Sequence, residues 1–217
     1  RRGTGPLLDL LRSVGSVAEG EAIHTSGAHP VDQLLAIEPA RVWLVAHLNY
    51  PAEPDEPDKA LADRLQHLAD RKITVAYCPR ASAFLGHPRA GRGGHPWRDL
   101  LAAGIEVALG TDGMPCLDTP DRLTVLDEMR FLARTGVAFD ACQLLRMATT
   151  SGARGLGLNP QAVTLGPGPL AGLLAMRGSG IDPIRDLFTR SEPPRWLLGP
   201  DRAALGVPSD DRGVPSG

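Results

Sequence analysis

Val42-Trp43-Leu44-Val45-Ala46 is a short apolar run that breaks off into His47-Leu48-Asn49-Tyr50. It is apolar throughout and rich in β-branched residues, so it reads as a strand buried on both faces. Two further runs share its form. Ile73 to Tyr77 is closed by Cys78-Pro79-Arg80, and Ile105 to Leu109 by Gly110-Thr111-Asp112-Gly113. Helical patterns separate the three. Leu61, Leu65 and Leu68 mark one helix, and Pro96 to Ala103 marks another that ends at Gly104. Short apolar strands alternating with helices are the signature of parallel βα units. A (β/α)8 barrel and a doubly wound sheet both fit this pattern. Three strands close neither, so further strands are expected outside these residues.

On the N-terminal side, Pro6 opens a helix with Thr4 as its cap, and Leu7, Leu8, Leu10, Leu11 and Val14 follow at helical spacing. A loop with His24 and His29 leads into a helix over Pro30 to Ile37. On the C-terminal side, Asp121 to Ala133 and Asp140 to Thr149 read as helices, with a helical turn near Ala153 to Leu156. Beyond Leu158 the character changes. Val163 to Leu165 and Leu170 to Met176 read as short strands around Gly166-Pro167-Gly168-Pro169. From Glu192 the chain is rich in Pro, Gly, Asp and Arg, and a flexible tail is expected. The expected division is 1–157 for the βα part, 158–190 for a short β segment of a flanking small domain, and 191–217 for the tail.

The formal net charge of −2 lacks the basic excess that binding a phosphate backbone requires. No nucleic-acid partner is expected. No apolar run approaches the ~18 residues of a membrane helix, so no membrane partner is expected either. Three cysteines, 78, 116 and 142, are odd in number and far apart. That pattern reads as reduced and cytoplasmic. The opening Arg1-Arg2-Gly3-Thr4 reads as the middle of a longer protein.

In parallel βα folds the working residues gather where strands end. His47, Cys78-Pro79-Arg80 and Asp112 each follow a strand directly, so they are expected on one rim. Alone, a histidine there is a satisfied core residue and an aspartate a helix cap. Together they point to a metal or acid–base site. Neutral imidazole and carboxylate suit a hydrolytic Zn²⁺, with Fe²⁺ the alternative. A catalytic zinc takes three or more protein ligands, so the remainder must come from elsewhere.

Ala46-His47-Leu48-Asn49-Tyr50, Tyr77-Cys78-Pro79-Arg80, Gly86-His87-Pro88, His95-Pro96-Trp97 and Gly110-Thr111-Asp112 occur in an order that resembles the amidohydrolase superfamily. They are most similar to its chlorohydrolase and aminodeoxyfutalosine-deaminase branch. Leu126-Asp127-Glu128-Met129-Arg130 and Ala148-Thr149-Thr150-Ser151-Gly152-Ala153 match stretches that follow the last barrel strand. The resemblance covers residues 3 to 176. It implies a (β/α)8 barrel of which this chain holds strands six, seven and eight. It makes His47 the metal-binding histidine of strand six. Asp112 becomes the strand-eight aspartate that binds the metal and accepts a proton from its water. Gly3-Thr4-Gly5-Pro6 then follows strand five, and His-x-His, a further His and a catalytic Glu lie upstream.

The same resemblance turns Arg80, His87 and His95 toward substrate. The alternatives are surface turns for the histidines and a surface ion pair for Arg80. Cys78 reads as a small buried residue, and His24 and His29 as solvated loop histidines. Leu48, Ser82 and Gly113 depart from the branch pattern, as do the loops 51–58 and 89–94. These departures bear on substrate choice rather than on the metal. The implied activity is metal-dependent hydrolysis of an aminopurine-type or related heterocycle, by deamination or dechlorination. The alternative is a non-catalytic barrel remnant acting as an interaction module. Open sheet edges are expected to favour a homo-oligomer.

Overall fold

The computed structural model describes residues 6–19, 21, 27–37, 44–53, 56–87, 94–119, 121–135 and 139–206. Thr4, His24, the strand start at 42–43, most of the 86–94 loop and the end of the tail lie outside them. In chain order the elements are α1 (Pro6–Ser13), α2 (Pro30–Leu35), β1 (Leu44–Ala46), α3 (Asp58–Asp70), β2 (Thr74–Tyr77), α4 (Pro79–Phe84), α5 (Trp97–Ala102), β3 (Glu106–Leu109), α6 (Val125–Arg134), α7 (Ala141–Ala148), α8 (Thr150–Gly155), β4 (Leu173–Ala175), α9 (Pro183–Thr189) and β5 (Arg195–Leu198). The three apolar runs form one parallel sheet in the order β1-β2-β3. The expected mixed α/β fold is therefore present.

Register is unbroken. Val45, Val75 and Val107 align across the sheet, as do Ala46, Ala76 and Ala108. Side chains alternate along a strand, so the valines share one face. They pack into a single core with Leu68 of α3, Leu100 of α5, Met129 of α6 and Leu144 and Met147 of α7. The small face carries alanines. At the N-terminal end of the strands α8 comes close. A Cβ on Gly155 would lie 2.8 Å from Thr74 Cγ2 and 2.9 Å from Leu44 Cδ1, so only glycine permits that approach. Ser151 and Arg154 of α8 both hydrogen-bond the Glu106 carboxylate there.

Several expectations are corrected. β1 is not buried on both faces, and Leu44 is 39% exposed. It pairs only with β2 among the described strands and so lies at an edge. Pro79 does more than stop β2, because it opens α4, where its missing N–H costs nothing. Pro160–Val163 is a 3-10 helix, so the strand expected at 163–165 is absent. The tail expected from 191 is folded at least to residue 206. β5 pairs antiparallel with β4, and Ala204 is buried.

His29 is also corrected. It is 3% exposed, and its Nδ1 accepts the Val31 N–H as the cap of α2. Nearby, the buried Arg64 guanidinium grips Asp32 on α2 and Glu56 in the loop before α3. Its five donors suit two carboxylates at once.

Arg80 and Glu128 form another buried ion pair. Arg80 N and Nε donate to the two Glu128 oxygens at 3.0 and 2.7 Å. Arg80 Nη1 reaches Asp118 Oδ1 and Thr119 Oγ1, both at 2.8 Å. The end of β2, the loop after β3 and α6 are thus tied together. Burial raises the Glu128 pKa, and the Arg80 hydrogen bonds oppose that shift.

Two predictions follow from these buried charges. Burial, and then the Arg64 charge, lower the His29 pKa below its ordinary 6.5, against the opposing Glu56, Asp32 and Glu53 carboxylates. The unfolded chain then binds more protons below pH 6.5, so stability is full above that pH and falls as the pH drops beneath it. The denaturation midpoint should fall between about pH 7.5 and about pH 5.5. His29→Asn keeps a capping oxygen without titrating and should shrink that fall; an equal fall in the variant contradicts the assignment. Separately, Glu128→Ala should destabilise the chain by about 3–5 kcal/mol in denaturant unfolding, because it strands a buried guanidinium. A loss below about 1 kcal/mol, the range of surface pairs, would contradict the tie.

Candidate metal centre and active site

Parallel pairing brings the three strand ends level. The ladder runs one residue past each edge strand, with His47 N–H donating to Ala76 O at 2.8 Å and Gly110 N–H to Tyr77 O at 2.9 Å. Here the backbone turns sharply. His47, Leu48 and Asp112 have φ of 66, 50 and 58°, and among the described non-glycine residues Lys72 alone shares that region. Left-handed backbone is uncommon outside glycine and costs on the order of 1–3 kcal/mol per residue. Such strain gathers at working sites, where surrounding structure holds it in place.

The two turns point their side chains at each other. His47 Nε2 lies 3.6 Å from Asp112 Oδ2, with side chains 36% and 34% exposed. Asp112 Oδ1 accepts the Gly113 N–H at 2.8 Å, which orients the carboxylate. The pair therefore combines a nitrogen and an oxygen donor, fixed by main chain and open to a solute. Protein ligands stand about 2.0–2.2 Å from a zinc ion, so two donors of one ion can be up to about 4.2 Å apart. The His47–Asp112 distance fits that limit. Among the described residues no group of three or more His, Cys, Asp or Glu could hold an ion. These residues supply two donors.

The other residues expected at the site fall in different places. His87 Nδ1 pairs with Tyr50 Oη at 2.9 Å, and the two rings meet edge to face. Tyr50 lies three residues beyond His47, so His87 lies over the same end of the sheet. His95 is buried, stacked on Tyr77, and hydrogen-bonded to the His47 carbonyl. Burial lowers its pKa to about 4. Arg80 is committed to Glu128, Asp118 and Thr119. No hydrogen bond or ion pair among the described residues joins Arg80 or His87 to the His47–Asp112 pair.

Cys78 is buried as expected, and burial, followed by the Asp112 charge, pushes its thiol up to about 12. That rules against a thiolate at neutral pH. Its Sγ would lie 3.0 Å from a Cβ at position 110, so Gly110 gives the sulfur its place between the strand ends. Three participants escaped sequence reasoning. Asn49 Oδ1 accepts from Ser82 Oγ at 3.2 Å, linking the loop after β1 to α4. Tyr50 positions His87. Polar residues directly after a strand were the available signal for Asn49 and Tyr50, whereas Ser82 stood out only as a departure from the branch pattern.

The model of the amidohydrolase family matches residues 16–198. The chain is 31% identical over 192 residues to the 5-methylthioadenosine/S-adenosylhomocysteine deaminase of Moorella thermoacetica, covering 85% of this chain and 41% of that protein. It is 36% identical over 104 residues to the probable guanine deaminase of Deinococcus radiodurans, covering 46% of this chain and 23% of that one. Among solved structures it is similar to the atrazine chlorohydrolase of Arthrobacter aurescens complexed with zinc, at 27% identity and a TM-score of 0.49, covering 67% of this chain and 32% of that one. The chain spans less than half the length of each of these relatives. With residues 16–198 of 217 matched, the chain belongs to the amidohydrolase family.

Proposed function

We propose that the complete protein is a metal-dependent hydrolase of non-peptide carbon–nitrogen bonds, and that this chain carries strands six, seven and eight of its (β/α)8 barrel as β1, β2 and β3. Residues 1–157 belong to the barrel. Residues 158–190 belong to the flanking small domain, and the β4–β5 pairing extends that unit through β5. The observation that carries the proposal is the 3.6 Å approach of His47 Nε2 and Asp112 Oδ2 at the strand ends. The two deaminase relatives support the reaction class.

His47 and Asp112 would hold one divalent cation, Zn²⁺ before Fe²⁺, since neutral nitrogen and hard oxygen suit either. When bound, that cation would lower the pKa of a water at the site toward ~7. The Asp112 carboxylate takes the proton from the attacking water. The water oxygen bonds to a ring carbon that carries an amino group. The carbon–nitrogen bond then breaks, and ammonia departs with the transferred proton, assisted by the upstream Glu that the family resemblance implies. His87, set by Tyr50, faces the substrate. Arg80 acts from beneath the site as a tie. The substrate is an aminopurine-type heterocycle, the ring common to the compounds in the relatives' names. A chlorinated ring would be attacked in the same sense.

Three free cysteines support a reducing, cytoplasmic setting. No described helix is long and apolar enough to cross a membrane. The edge of β1, unpaired among the described strands, favours association with further strands, either of the complete barrel or of a second copy.

In the complete protein, Asp112→Asn should lower ammonia release from 5-methylthioadenosine, S-adenosylhomocysteine or guanine at least about 100-fold at an unchanged melting temperature. Near-normal turnover would remove its assigned role. Absence of release by the wild-type protein across that panel would favour the non-catalytic remnant. The 217-residue chain alone, with two of the three or more ligands a catalytic zinc requires, should bind metal weakly and release no ammonia. Tight, stoichiometric zinc in the purified chain would contradict this.

A further inference from the structure

His95 precedes α5, 48 residues from His47, yet the two are in contact. Its Nε2 lies 2.5 Å from the His47 carbonyl oxygen. A carbonyl only accepts, so Nε2 carries the proton and Nδ1 is the bare nitrogen. The ring lies flat on Tyr77, centroids 3.8 Å apart and planes 16° from parallel. Tyr77 is itself 7% exposed and part of the central core. His95 is 9% exposed, and its Nδ1 is buried with no partner among the described residues. The ring is therefore held by its face and by one nitrogen, and it is not presented to a substrate.

What that nitrogen holds is the most irregular stretch of the sheet. Leu48 N–H closes back on Ala46 O at 2.9 Å, with His47 at the centre at φ 66°. This matches the rare form of the three-residue turn, which is strained. Leu48 follows at φ 50°. The His47 N–H is anchored to β2 through Ala76 O. The opposite side of the same residue, its carbonyl, has His95. Main-chain anchors on both sides hold the turn from which the imidazole reaches Asp112.

We infer that His95 is a positioning residue for His47, donating from Nε2 to the His47 carbonyl and so fixing the left-handed turn that aims the His47 imidazole at Asp112. The inference rests on the reading of His47 as a metal ligand. It departs from the sequence expectation that His95 faces substrate. It also ties the segment just before α5 to the end of β1.

The test uses the complete protein loaded with Co²⁺, whose visible spectrum reports ligand geometry. His95→Phe keeps a ring on Tyr77 and removes the donor. It should weaken Co²⁺ binding about 10- to 100-fold, the effect typical of losing a group that orients a ligand, and should alter the Co²⁺ spectrum. His95→Gln restores a donor and should return affinity to within a few-fold of wild type. Wild-type affinity and spectrum in His95→Phe would overturn the inference. If His95→Phe does not fold, His95→Leu, which also lacks the donor, takes its place: a ten-fold or greater loss restored in His95→Gln supports the inference, and wild-type binding overturns it. His47→Ala separates the two claims. Unchanged Co²⁺ binding in His47→Ala overturns the metal reading and this inference with it. Binding lost in His47→Ala but unchanged in His95→Phe overturns this inference alone.

Discussion

Parallel strands all end at the same edge, and in this chain the three ends carry His47, Cys78 and Gly110-Thr111-Asp112. Everything at the site descends from that alignment. Registers of Val45, Val75 and Val107 without a slip put His47 level with Tyr77 and Leu109, and Gly110 one residue further along on the other side of β2. Left-handed turns at 47 and 112 then bend two side chains toward each other over the middle strand. Cys78, capping that middle strand, is small enough to lie beneath them, and the absence of a side chain at Gly110 leaves it room. A shift of one residue in either pairing would send the neighbouring side chain to that rim in place of the expected one.

Around this open pair the charges are sealed. Arg80 and Glu128 are 3% and 0% exposed at their side chains, whereas His47 and Asp112 remain about one-third exposed. The division is physically sensible. A buried ion pair fixes geometry, here with Arg80 Nε and Nη1 bonded and Nη2 without a partner among the described residues. A pair that takes up a cation and a substrate must remain reachable. Arg80 connects the two regimes, because its hydrogen bonds to Asp118 and Thr119 hold the loop that leaves Asp112.

The sequence makes the central sheet legible because each strand is a compact apolar run bounded by helical patterns. His47 and Asp112 are legible because a polar residue directly after such a run has few other places to go. What was illegible depends on distance. The Arg80–Glu128 pair spans 48 residues, as does the His95–His47 contact, and no local pattern encodes either. His29 resembled a loop histidine until burial and the Val31 N–H gave it a cap's role. The edge character of β1 could not be read from its composition, which is that of a covered strand. β5 was hidden because Arg195-Trp196-Leu197-Leu198 is short and embedded in Pro, Gly, Asp and Arg, so composition outweighed a real pairing. Pro79 misled in the opposite sense, since a residue that stops a strand can equally begin a helix.

The account stands on His47 and Asp112 sharing one cation. Anomalous diffraction at the zinc edge, on crystals of the complete protein grown with Zn²⁺, tests that directly. A single peak about 2.0–2.2 Å from a His47 ring nitrogen and from an Asp112 carboxylate oxygen is the predicted result. A zinc peak bound elsewhere, with either side chain beyond bonding distance, would contradict it.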